Sequence, residues 1–495
     1  MNLETLYEKM EYGPAPESPN NAEQWLKDHQ HKFSLFINGK WTESSKKNNF
    51  ESINPATGKS LASISEASEK EVDQAVKAAK KAFESWSGLD PHQRSRFLYA
   101  MARQMQKHAR LLAVLETLDN GKTIRETRDI DVPLAVRHFY HHAGWAQLLD
   151  QEFKNHQPLG VVGQIIPWNF PLLMAAWKLG PALATGCTVV LKVAEETPMT
   201  AIRLGHLIQE AGIPDGVVNI ITGYGETAGA ALAAHPDVDK VAFTGSTEVG
   251  KLIVQAAGQS NLKKVSLELG GKSPNIILPD ADLAAAIPGA ANAIFFNHGQ
   301  CCCAGSRLYV HRSQYDEVVQ GIAEHAKSIQ MGPGMHPDCQ MGPMVSQIQQ
   351  DRVCGFMNSG LSEGAEAVTG GQPGEGQGYF VEPTVLINTR PEMSVIREEI
   401  FGPVVAAVPY DDEDQVIAVA NDSQYGLAAA VWTRDISRGH QVAKQLRAGN
   451  VWINCYNVFD AALPFGGFKQ SGWGREMGHD ALELYTETKA VTVQL

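Results

Sequence analysis

From residue 159 onward, short apolar runs alternate with amphipathic stretches, and this alternation restricts the fold more than any other feature of the chain. The apolar runs of the first block lie at residues 159–166, 188–192, 217–222 and 241–244. A second block repeats the pattern, with runs at 275–278 and 307–310. Strands that alternate with helices at short intervals are typical of parallel sheets covered by helices on both faces. The sequence therefore predicts an α/β fold with two doubly wound units.

The residues before this alternation carry different signals. Residues 35–41 combine an apolar run with an Asn-Gly turn, which predicts a β-hairpin. Residues 69–86 have apolar positions at helical spacing with lysines opposite, which predicts an amphipathic helix. A second helix is predicted from residue 91 to the pair Asn120 and Gly121, which is a good helix C-cap.

Charge and cysteine content narrow the classes of function. The 495-residue chain has 42 Lys+Arg against 55 Asp+Glu, a formal net charge of -13. This balance disfavours nucleic acids and anionic membrane surfaces as partners, because both bind clustered basic residues. Residues 1–32 lack the apolar core of a signal peptide, and no run of about eighteen apolar residues could span a bilayer. Together with an odd count of 7 cysteines, these features predict a cytoplasmic protein.

Three of the 7 cysteines, Cys301, Cys302 and Cys303, are consecutive within the segment 297–307. Neighbouring cysteines cannot form an unstrained disulfide with each other, and metal-binding cysteines are normally spaced apart with a second pair downstream. Two readings remain: the run carries a reactive thiol, or it supplies three small buried side chains. Free cysteine is among the most buried residue types, so the run alone favours the buried reading.

Two glycine-rich turns, at 223–229 and 244–250, follow predicted strands and lead into predicted helices. Backbone N–H groups and the positive end of a helix dipole at such turns attract phosphates. Neither turn matches G-x-G-x-x-G, so on spacing alone they are weak evidence for a nucleotide site. Lys192 and Glu195 follow the second strand at the edge where ligands of α/β sheets bind. Two interpretations of this pair stay open: it binds the hydroxyls of a ribose, or it is an ordinary solvated charge pair.

Seven segments in order resemble the motifs of the NAD(P)-dependent aldehyde dehydrogenase superfamily. They are Pro-Trp-Asn-Phe-Pro at 167–171, Leu-Lys at 191–192, Phe-Thr-Gly-Ser at 243–246, Leu-Glu-Leu-Gly-Gly-Lys at 267–272, the cysteine run, Glu-Glu-Ile-Phe-Gly-Pro at 398–403 and Pro-Phe-Gly-Gly at 464–467. The resemblance covers nearly the whole chain and is strongest to broad-specificity, non-acylating members. It implies two Rossmann-like domains, one nucleotide-binding and one catalytic, plus a small oligomerisation element.

The resemblance also implies three catalytic residues. Cys302 is the nucleophile, because a cysteine thiolate adds readily to an aldehyde carbon near neutral pH. Asn169 and the backbone N–H of Cys302 stabilise the oxyanion that forms. Glu268 activates the water that releases the acid, and its leucine neighbours are expected to raise its pKa and suit it to this work. Cys301 and Cys303 are expected to lie in an extended segment, to point away from Cys302 and to line the pocket.

The implied cofactor is NAD, and no metal ion is implied. A carboxylate at Glu195 would repel the 2′-phosphate of NADP, so NADP is the less favoured cofactor. Lys192 and Glu195 resemble contacts to the adenine ribose, while Glu399 and Phe401 resemble those to the nicotinamide ribose and ring. The full set of implied cofactor residues is Ile165, Ile166, Pro167, Trp168, Lys192, Glu195, Gly225, Gly229, Phe243, Gly245, Ser246, Val249, Glu399 and Phe401.

The implied substrate is a small-molecule aldehyde in an apolar tunnel. The matching residues are Phe170, Leu173, Trp177, Cys301, Cys303, Phe459 and Phe465. The absence of lysine and arginine from these positions favours aliphatic or aromatic aldehydes over charged ones. Any of these aromatic side chains could equally be plain core, and for Trp177 the two readings are balanced.

The resemblance implies a division of the chain into domains. Residues 1–140 and 159–267 form the nucleotide-binding domain, and residues 268–475 form the catalytic domain. Residues 141–158 and 476–495 form the oligomerisation element of a homo-oligomer. Within it, residues 485–495 are expected to be a strand that pairs across a subunit interface.

Three features depart from the family pattern. Val193 stands where a proline usually follows the lysine, which predicts a less fixed loop after Lys192. Residues 146–158 are fewer than the β-hairpin arm of relatives requires, which favours a dimer over a tetramer. The leader up to Phe33 is longer than usual. With the short arm it resembles the first half of the sixteenth aldehyde dehydrogenase subfamily.

Two other functions compete with NAD-dependent oxidation of an aldehyde plus water to the carboxylic acid. An acylating dehydrogenase would pass the thioester to coenzyme A, and a silent binding or scaffold protein would keep the fold alone. Glu268 argues against the first, because a hydrolytic base would be counterproductive there. The presence of Cys302, Glu268 and Asn169 argues against the second.

Overall fold

The computed structural model describes residues 18–495. Its strands in chain order are β1 (Lys32–Phe33), β2 (Leu35–Ile37), β3 (Lys40–Thr42), β4 (Asn49–Asn54), β5 (Lys59–Ser65), β6 (His156–Pro158), β7 (Val161–Ile165), β8 (Thr188–Lys192), β9 (Val218–Ile221), β10 (Lys240–Thr244), β11 (Lys264–Glu268), β12 (Pro274–Ile277), β13 (Arg307–His311), β14 (Glu366–Thr369), β15 (Thr384–Ile387), β16 (Val404–Tyr410), β17 (Ala428–Trp432), β18 (Asn450–Ile453), β19 (Gly472–Trp473) and β20 (Thr486–Thr488). Its α-helices are α1 (Asn20–Asp28), α2 (Glu69–Ser87), α3 (Pro91–Lys107), α4 (Ala109–Asn120), α5 (Ile124–Glu126), α6 (Val132–Glu152), α7 (Pro171–Thr185), α8 (Met199–Glu210), α9 (Ala230–Ala234), α10 (Thr247–Gln259), α11 (Leu283–Phe295), α12 (Tyr315–Ser328), α13 (Gln347–Ser362), α14 (Ser394–Arg397), α15 (Glu413–Asn421), α16 (Ile436–Gln445) and α17 (Asp480–Glu483).

The first large sheet has the strand order β19-β11-β10-β7-β8-β9-β2-β3. Strands β7 to β11 run parallel to one another. Val189 and Leu191 of β8 pack into one core cluster with α7, whereas Val190 packs into another with α2. Because helices bury both faces of these strands, the strands are continuously apolar rather than alternating. The hairpin predicted at residues 35–41 is formed by β2 and β3.

The second large sheet has the strand order β14-β15-β16-β13-β12-β17-β18. Every pairing is parallel except that of β14, which lies antiparallel at one edge. The prediction of an α/β fold with two doubly wound units is therefore confirmed. The predicted domain boundary at residues 267 and 268 falls at the last residue of β11. Strand β19 follows the second unit in the chain but pairs with β11 of the first sheet. The division into domains stays a prediction. Residues 1–17, which it assigns to the nucleotide-binding domain, lie outside the described part of the chain.

Residues 269–273 connect β11 of the first sheet directly to β12 of the second. The carboxyl end of β11 and the amino end of β12 are therefore separated by only a short loop. Ligands of open α/β sheets bind outside the carboxyl ends of the strands. The chain thus places Glu268, the last residue of β11, where a cavity between the two units can form.

Local sequence signals explain where several helices begin and end. The hydroxyl of Ser68 accepts a bond at the start of α2 while Glu71 bonds back to Ser68, a capping box that fixes the first turn. Gly121 ends α4 in the left-handed conformation with φ 92. The single helix expected from 91 to 120 is wrong, because His108 has non-helical backbone angles and separates α3 from α4.

Three other expectations differ from the structure. The glycine-rich turn at 223–229 was expected to lead into an α-helix, but residues 225–229 form one π-helical turn before the short α9. In place of a β-hairpin arm at 146–158, the chain has the end of helix α6 followed by the short strand β6. The C-terminal strand is only β20, which pairs with β6 of the same chain, and residues 489–495 are exposed without a strand partner. No helix among residues 18–495 is both long and apolar enough to cross a membrane.

Candidate active site

The three consecutive cysteines lie in a turn and not in the expected extended segment. The backbone N–H of Ala304 donates to the carbonyl of Cys301 at 3.0 Å, which closes the turn. Cys301 is 5% and Cys303 1% exposed, whereas Cys302 is half-buried. All three line one cavity of about 560 Å³. Of the three sulfur atoms, that of Cys302 is therefore the most accessible to a molecule in the cavity.

The turn folds this way because the residues before it adopt left-handed backbone angles. Asn297 and His298 have φ of 49 and 57, and Gly299 has φ of 70. A Cβ on Gly299 would lie 2.0 Å from the carbonyl oxygen of Gly402, so only glycine fits there. The side-chain Nδ2 of Asn297 donates to the backbone carbonyl of Gln300 at 2.9 Å and to that of Asn169 at 3.1 Å. The loop is thus held against the turn that follows β7.

The three thiols share hydrogen bonds, which corrects the expectation that Cys301 and Cys303 point away from Cys302. The Sγ atoms of Cys301 and Cys303 are 3.4 Å apart. Hydrogen bonds from both neighbours lower the pKa of Cys301 well below its usual value, while those of Cys302 and Cys303 are raised. Because the thiols titrate together, the first ionisation belongs to the group and not to one sulfur. The trio thus stabilises one thiolate beside the cavity.

Asn169 reaches the cysteine loop from the turn between β7 and α7. Its side-chain Nδ2 donates to the carbonyl of Gln300 at 3.0 Å, and the residue lines the cavity. The side-chain nitrogen of Asn120 supports this turn by donating to the carbonyl of Trp168 at 2.6 Å. An amide nitrogen carries two N–H groups, so Asn169 has a second donor beyond the one used on Gln300.

Glu268 reaches the same cavity from the end of β11. It is 6% exposed, and its Oε2 atom has no hydrogen-bond partner among residues 18–495. Burial raises its pKa well above the usual value, and the nearby carboxylate of Glu476 raises it further. A Cβ on Gly466 would lie 2.8 Å from Oε1 of Glu268. The glycine therefore makes room for the carboxylate.

Aromatic and aliphatic side chains form part of the cavity wall. The five apolar residues expected in a substrate tunnel all contribute: Phe170, Leu173, Trp177, Phe459 and Phe465. The rings of Trp177 and Phe465 lie 5.4 Å apart, and that of Phe459 lies 5.7 Å from Phe465. Trp177 therefore lies on the cavity wall and not only in the core. Ile130, Leu134, Met174, Phe296, Asn292 and Asn457 also line this cavity but were not anticipated.

The lining also includes six of the expected cofactor residues: Pro167, Trp168, Gly245, Ser246, Glu399 and Phe401. The Oε1 atom of Glu399 accepts from the backbone N–H of Gly271 at 2.9 Å, and burial raises its pKa to about 7. A Cβ on Gly270 would lie 2.3 Å from Oε2 of Glu399, which explains the glycine.

The other expected cofactor residues lie outside this cavity: Ile165, Ile166, Lys192, Glu195, Gly225, Gly229, Phe243 and Val249. A Cβ on Gly225 or Gly229 would meet nothing within 4 Å, so packing inside the chain does not require either glycine. Ser246 caps the start of α10 by accepting from the N–H of Val249 at 3.2 Å. The backbone at Gly225 and Gly229 is thus open, and the contact of these turns with a phosphate stays a prediction.

The loop after β8 is held by an ion pair and by a backbone hydrogen bond. Lys192 forms an ion pair with Glu195 at 2.7 Å. The backbone N–H of Val193 donates to the carbonyl of Ile221 at 3.3 Å. A proline at this position has no N–H and could not make that bond. This hydrogen bond helps to hold the loop, and the prediction of a less fixed loop stays a prediction.

A family model described as "Aldehyde dehydrogenase family" matches residues 41–491. The chain belongs to the aldehyde dehydrogenase family. It is 55% identical over 473 residues to DhaS of Bacillus subtilis (strain 168), covering 93% of this chain and 95% of that protein. It is 48% identical over 474 residues to the mitochondrial aldehyde dehydrogenase of Homo sapiens, covering 93% and 92%.

Solved structures of aldehyde dehydrogenases share the fold. The NAD+ complex of the Bacillus cereus enzyme superposes with a TM-score of 0.92 at 48% identity, covering 95% of this chain and 98% of that one. An indole-3-acetaldehyde dehydrogenase complexed with NAD+ superposes with a TM-score of 0.93 at 42% identity, covering 97% and 100%. The predicted family and fold are confirmed, whereas the sixteenth subfamily stays a prediction.

A buried ion pair in this aldehyde dehydrogenase was not anticipated from the sequence. Lys178 of α7 donates to Glu476, and both side chains are nearly inaccessible to solvent. Their charges act on Glu268 in opposite directions. Lys178 is the one charged residue in the apolar helix α7, a signal that could have identified it. Glu476 lies 298 positions away, and nothing in the sequence links the two.

Proposed function

We propose that this aldehyde dehydrogenase oxidises an aldehyde and water to the carboxylic acid with NAD, through a thiohemiacetal and a thioester on Cys302. The observation that carries this proposal is one cavity lined by the accessible Cys302, the buried Glu268 and Asn169. The lining of the same cavity includes apolar side chains suited to an aldehyde and the carboxylate of Glu399, which suits a ribose.

The first step forms a bond between the Cys302 sulfur and the aldehyde carbon. The thiolate supplies the electron pair, and the carbonyl π electrons move to oxygen to give an oxyanion. The second N–H of Asn169 and the backbone N–H of Cys302 donate to this oxygen. Donors of this kind contribute about 3 kcal/mol each when they are preorganised.

Replacing Asn169 with alanine tests this assignment. We expect kcat to fall by roughly 10²–10³ with little change in KM, because the lost donor acts on the oxyanion and not on the free aldehyde. Steady-state kinetics measure both constants. The matched control is Asn292→Ala, which removes another asparagine from the same cavity and should alter KM alone. A normal kcat in the Asn169 variant would argue against the oxyanion role.

Residues on the cavity wall and beyond it fit a dinucleotide. Glu399 places a buried carboxylate on the wall, and outside this cavity the open glycines Gly225 and Gly229 leave room against the backbone. When NAD is bound, it accepts the hydride released as the oxyanion collapses and the C–H bond breaks, which leaves a thioester on Cys302. Trp168 and Phe401 would hold the nicotinamide ring, and their own rings pack edge to face with centroids 5.2 Å apart.

Glu268 then removes a proton from water, whose oxygen attacks the thioester carbon. The C–S bond breaks and the sulfur leaves as a thiolate, so the acid is released and Cys302 is ready again. A raised pKa makes Glu268 a stronger base than an exposed glutamate. Such a base also argues against transfer of the acyl group to coenzyme A. Lys178 and Glu476 adjust the charge next to Glu268.

The test of the proposed function is a panel of aliphatic, aromatic and charged aldehydes offered with NAD. We expect NADH and the matching acid in equal amounts without coenzyme A, with apolar aldehydes preferred. A strict requirement for coenzyme A would instead identify an acylating enzyme. The lack of NADH from any aldehyde would identify a silent member of the family.

Glu195 is proposed to set the preference for NAD over NADP. Its carboxylate would face the 2′ position of the adenine ribose and repel a phosphate there. We expect Glu195→Gln to narrow the ratio of kcat/KM for the two cofactors by at least about tenfold, since one repulsive charge is lost. Glu210→Gln, on the surface of α8, is the control. An unchanged ratio in the Glu195 variant would show that another residue selects the cofactor.

We further propose that the enzyme works as a cytoplasmic homodimer. All 7 cysteines of the chain are free thiols, which suits a reducing compartment. The C-terminal segment has an exposed apolar residue at every second position, namely Val491, Val493 and Leu495. This spacing is typical of an unpaired edge strand that can pair with another chain. Sedimentation equilibrium should give twice the chain mass of 53.8 kDa, and a fourfold mass would contradict the dimer.

A further inference from the structure

A second, small cavity lies on the catalytic unit behind the loop that joins β11 to β12. Lys272 lines it and is only 2% exposed. Its Nζ atom has no hydrogen-bond partner among residues 18–495. Buried lysine side chains are almost always paired, so this one requires an explanation such as an ion or a water molecule.

The cavity is surrounded by positive charge. Arg307, which is 2% exposed, and the exposed Arg447 line it together with Lys272. The guanidinium of Arg307 donates to the carbonyls of Lys272 at 2.8 Å and Ala420 at 2.9 Å. Neutral carbonyls satisfy these donors but do not cancel the charge.

No opposite charge balances these cations at short range. None of Lys272, Arg307 and Arg447 forms an ion pair within residues 18–495, and no aspartate or glutamate lines this cavity in the described chain. The carboxylate that acts most strongly on Lys272 is that of Glu399, whose Oε1 atom already accepts from the backbone N–H of Gly271. Burial, followed by repulsion from Arg307, lowers the pKa of Lys272 to about 7.

We propose that a single monovalent anion of chloride size binds in this cavity between Lys272, Arg307 and Arg447. An anion there would pair the buried ammonium and offset the repulsion between the two buried cations. Tyr425 also lines the cavity, and burial raises the pKa of its hydroxyl to about 12, so it is neutral and adds no negative charge.

The size of the cavity selects the ligand. Its volume is about 10 Å³ for the centre of a water-sized sphere, which is room for one such sphere. A halide ion is slightly larger than such a sphere, whereas phosphate and carboxylates are larger still and need several donor directions, so a halide is the anion that comes nearest to this size. The proposal therefore names a halide and does not depend on the reaction proposed above.

The anion site would also stiffen the catalytic loop. Lys272 follows Gly271, whose N–H holds Glu399. A Cβ on Gly271 would lie 2.3 Å from the carbonyl oxygen of Cys302, so the loop packs directly against the nucleophile's backbone. Glu399 and Cys302 both line the active-site cavity, so fixing the Lys272 side chain restrains a segment that contacts two residues of that cavity.

Thermal unfolding in halide and non-halide salts measures this binding. We expect sodium chloride or bromide to raise Tm saturably by about 2 °C over sodium gluconate at equal ionic strength, because a ligand that binds only the folded state stabilises it. Equal ionic strength removes general screening as a cause. Identical unfolding curves in the three salts would overturn the proposal.

Anomalous scattering locates the ion. Crystals grown in gluconate and transferred to bromide should show a bromine peak between Lys272 and Arg447. We expect Lys272→Met to lose both the peak and the halide-specific rise in Tm. Lys240→Met is the matched control, because Lys240 is also fully buried with a pKa lowered to about 7 but donates to Ser266 elsewhere, and it should keep both.

Arg447→Gln keeps the proposal testable if the Lys272 variant does not fold. Arg447 is exposed, so its loss should be tolerated, and we expect the halide concentration for half-maximal Tm shift to rise several-fold. An ordered water in place of a bromine peak would show that the cavity is a water site. A peak that survives Lys272→Met would place the ion elsewhere, and either result would overturn the proposal.

Discussion

Replacing Cys302 with alanine is expected to reduce aldehyde-dependent NADH formation by at least about 10⁴-fold. The accessible sulfur of the trio is lost, and the two that remain are nearly fully buried. Without the thiohemiacetal, no oxyanion forms beside the cofactor and no hydride can leave. Stopped-flow absorbance should show neither a burst nor a steady state of NADH.

The neighbouring thiols provide matched controls for this substitution. Cys303→Ala removes a buried thiol and should keep turnover, while Cys301→Ala should keep turnover but move its pH dependence. The reason is that hydrogen bonds within the trio set which proton leaves first. Mass spectrometry of the trapped acyl-enzyme should find the adduct on Cys302. An adduct on Cys301 or Cys303, or full activity of Cys302→Ala, would contradict the assignment.

The sequence predicted the central strands well because their physical signal is local. The strand predicted at 188–192 coincides with β8. A short apolar run between two helical segments is typical of a strand that helices bury on both faces in a doubly wound sheet. The break at His108 was not predictable, because histidine is an ordinary helix residue and only the packing of α3 and α4 decides where it bends. The turn at Cys301 depends on left-handed angles at Asn297 and His298, which composition does not reveal.

The candidate site shows a sharper limit. Asn169 and Gln300 lie 131 positions apart and meet only in the folded chain. Their meeting could be anticipated through a family's motifs but not from spacing or periodicity. The same holds more strongly for Lys178 and Glu476, which no recognised motif contained. Side chains that act on a site through charge leave little trace in sequence, because their effect depends on burial and distance.

Glu268→Gln is expected to release one NADH per active site rapidly and then to stall. Glutamine keeps the shape of the side chain but cannot take a proton from water, so the thioester accumulates while hydride transfer is intact. We expect the steady-state rate to fall by roughly 10²–10⁴-fold, the usual contribution of a general base. Rapid-mixing absorbance separates the burst from the steady state, and quantitative acid release should lag behind NADH.

The pH dependence and a chemical rescue distinguish a base from a structural residue. A base works only when deprotonated, so wild-type hydrolysis should rise as the pH passes the raised pKa of Glu268 and disappear below it. Glu476→Gln removes a carboxylate that raises this pKa and should move the rise to lower pH. Hydroxylamine attacks a thioester without help from a base and should restore turnover to Glu268→Gln. Two outcomes would show that Glu268 is not the base: a full steady-state rate in that variant, or a stall that hydroxylamine does not relieve. In both cases the step that limits the variant would be a step other than proton transfer from water.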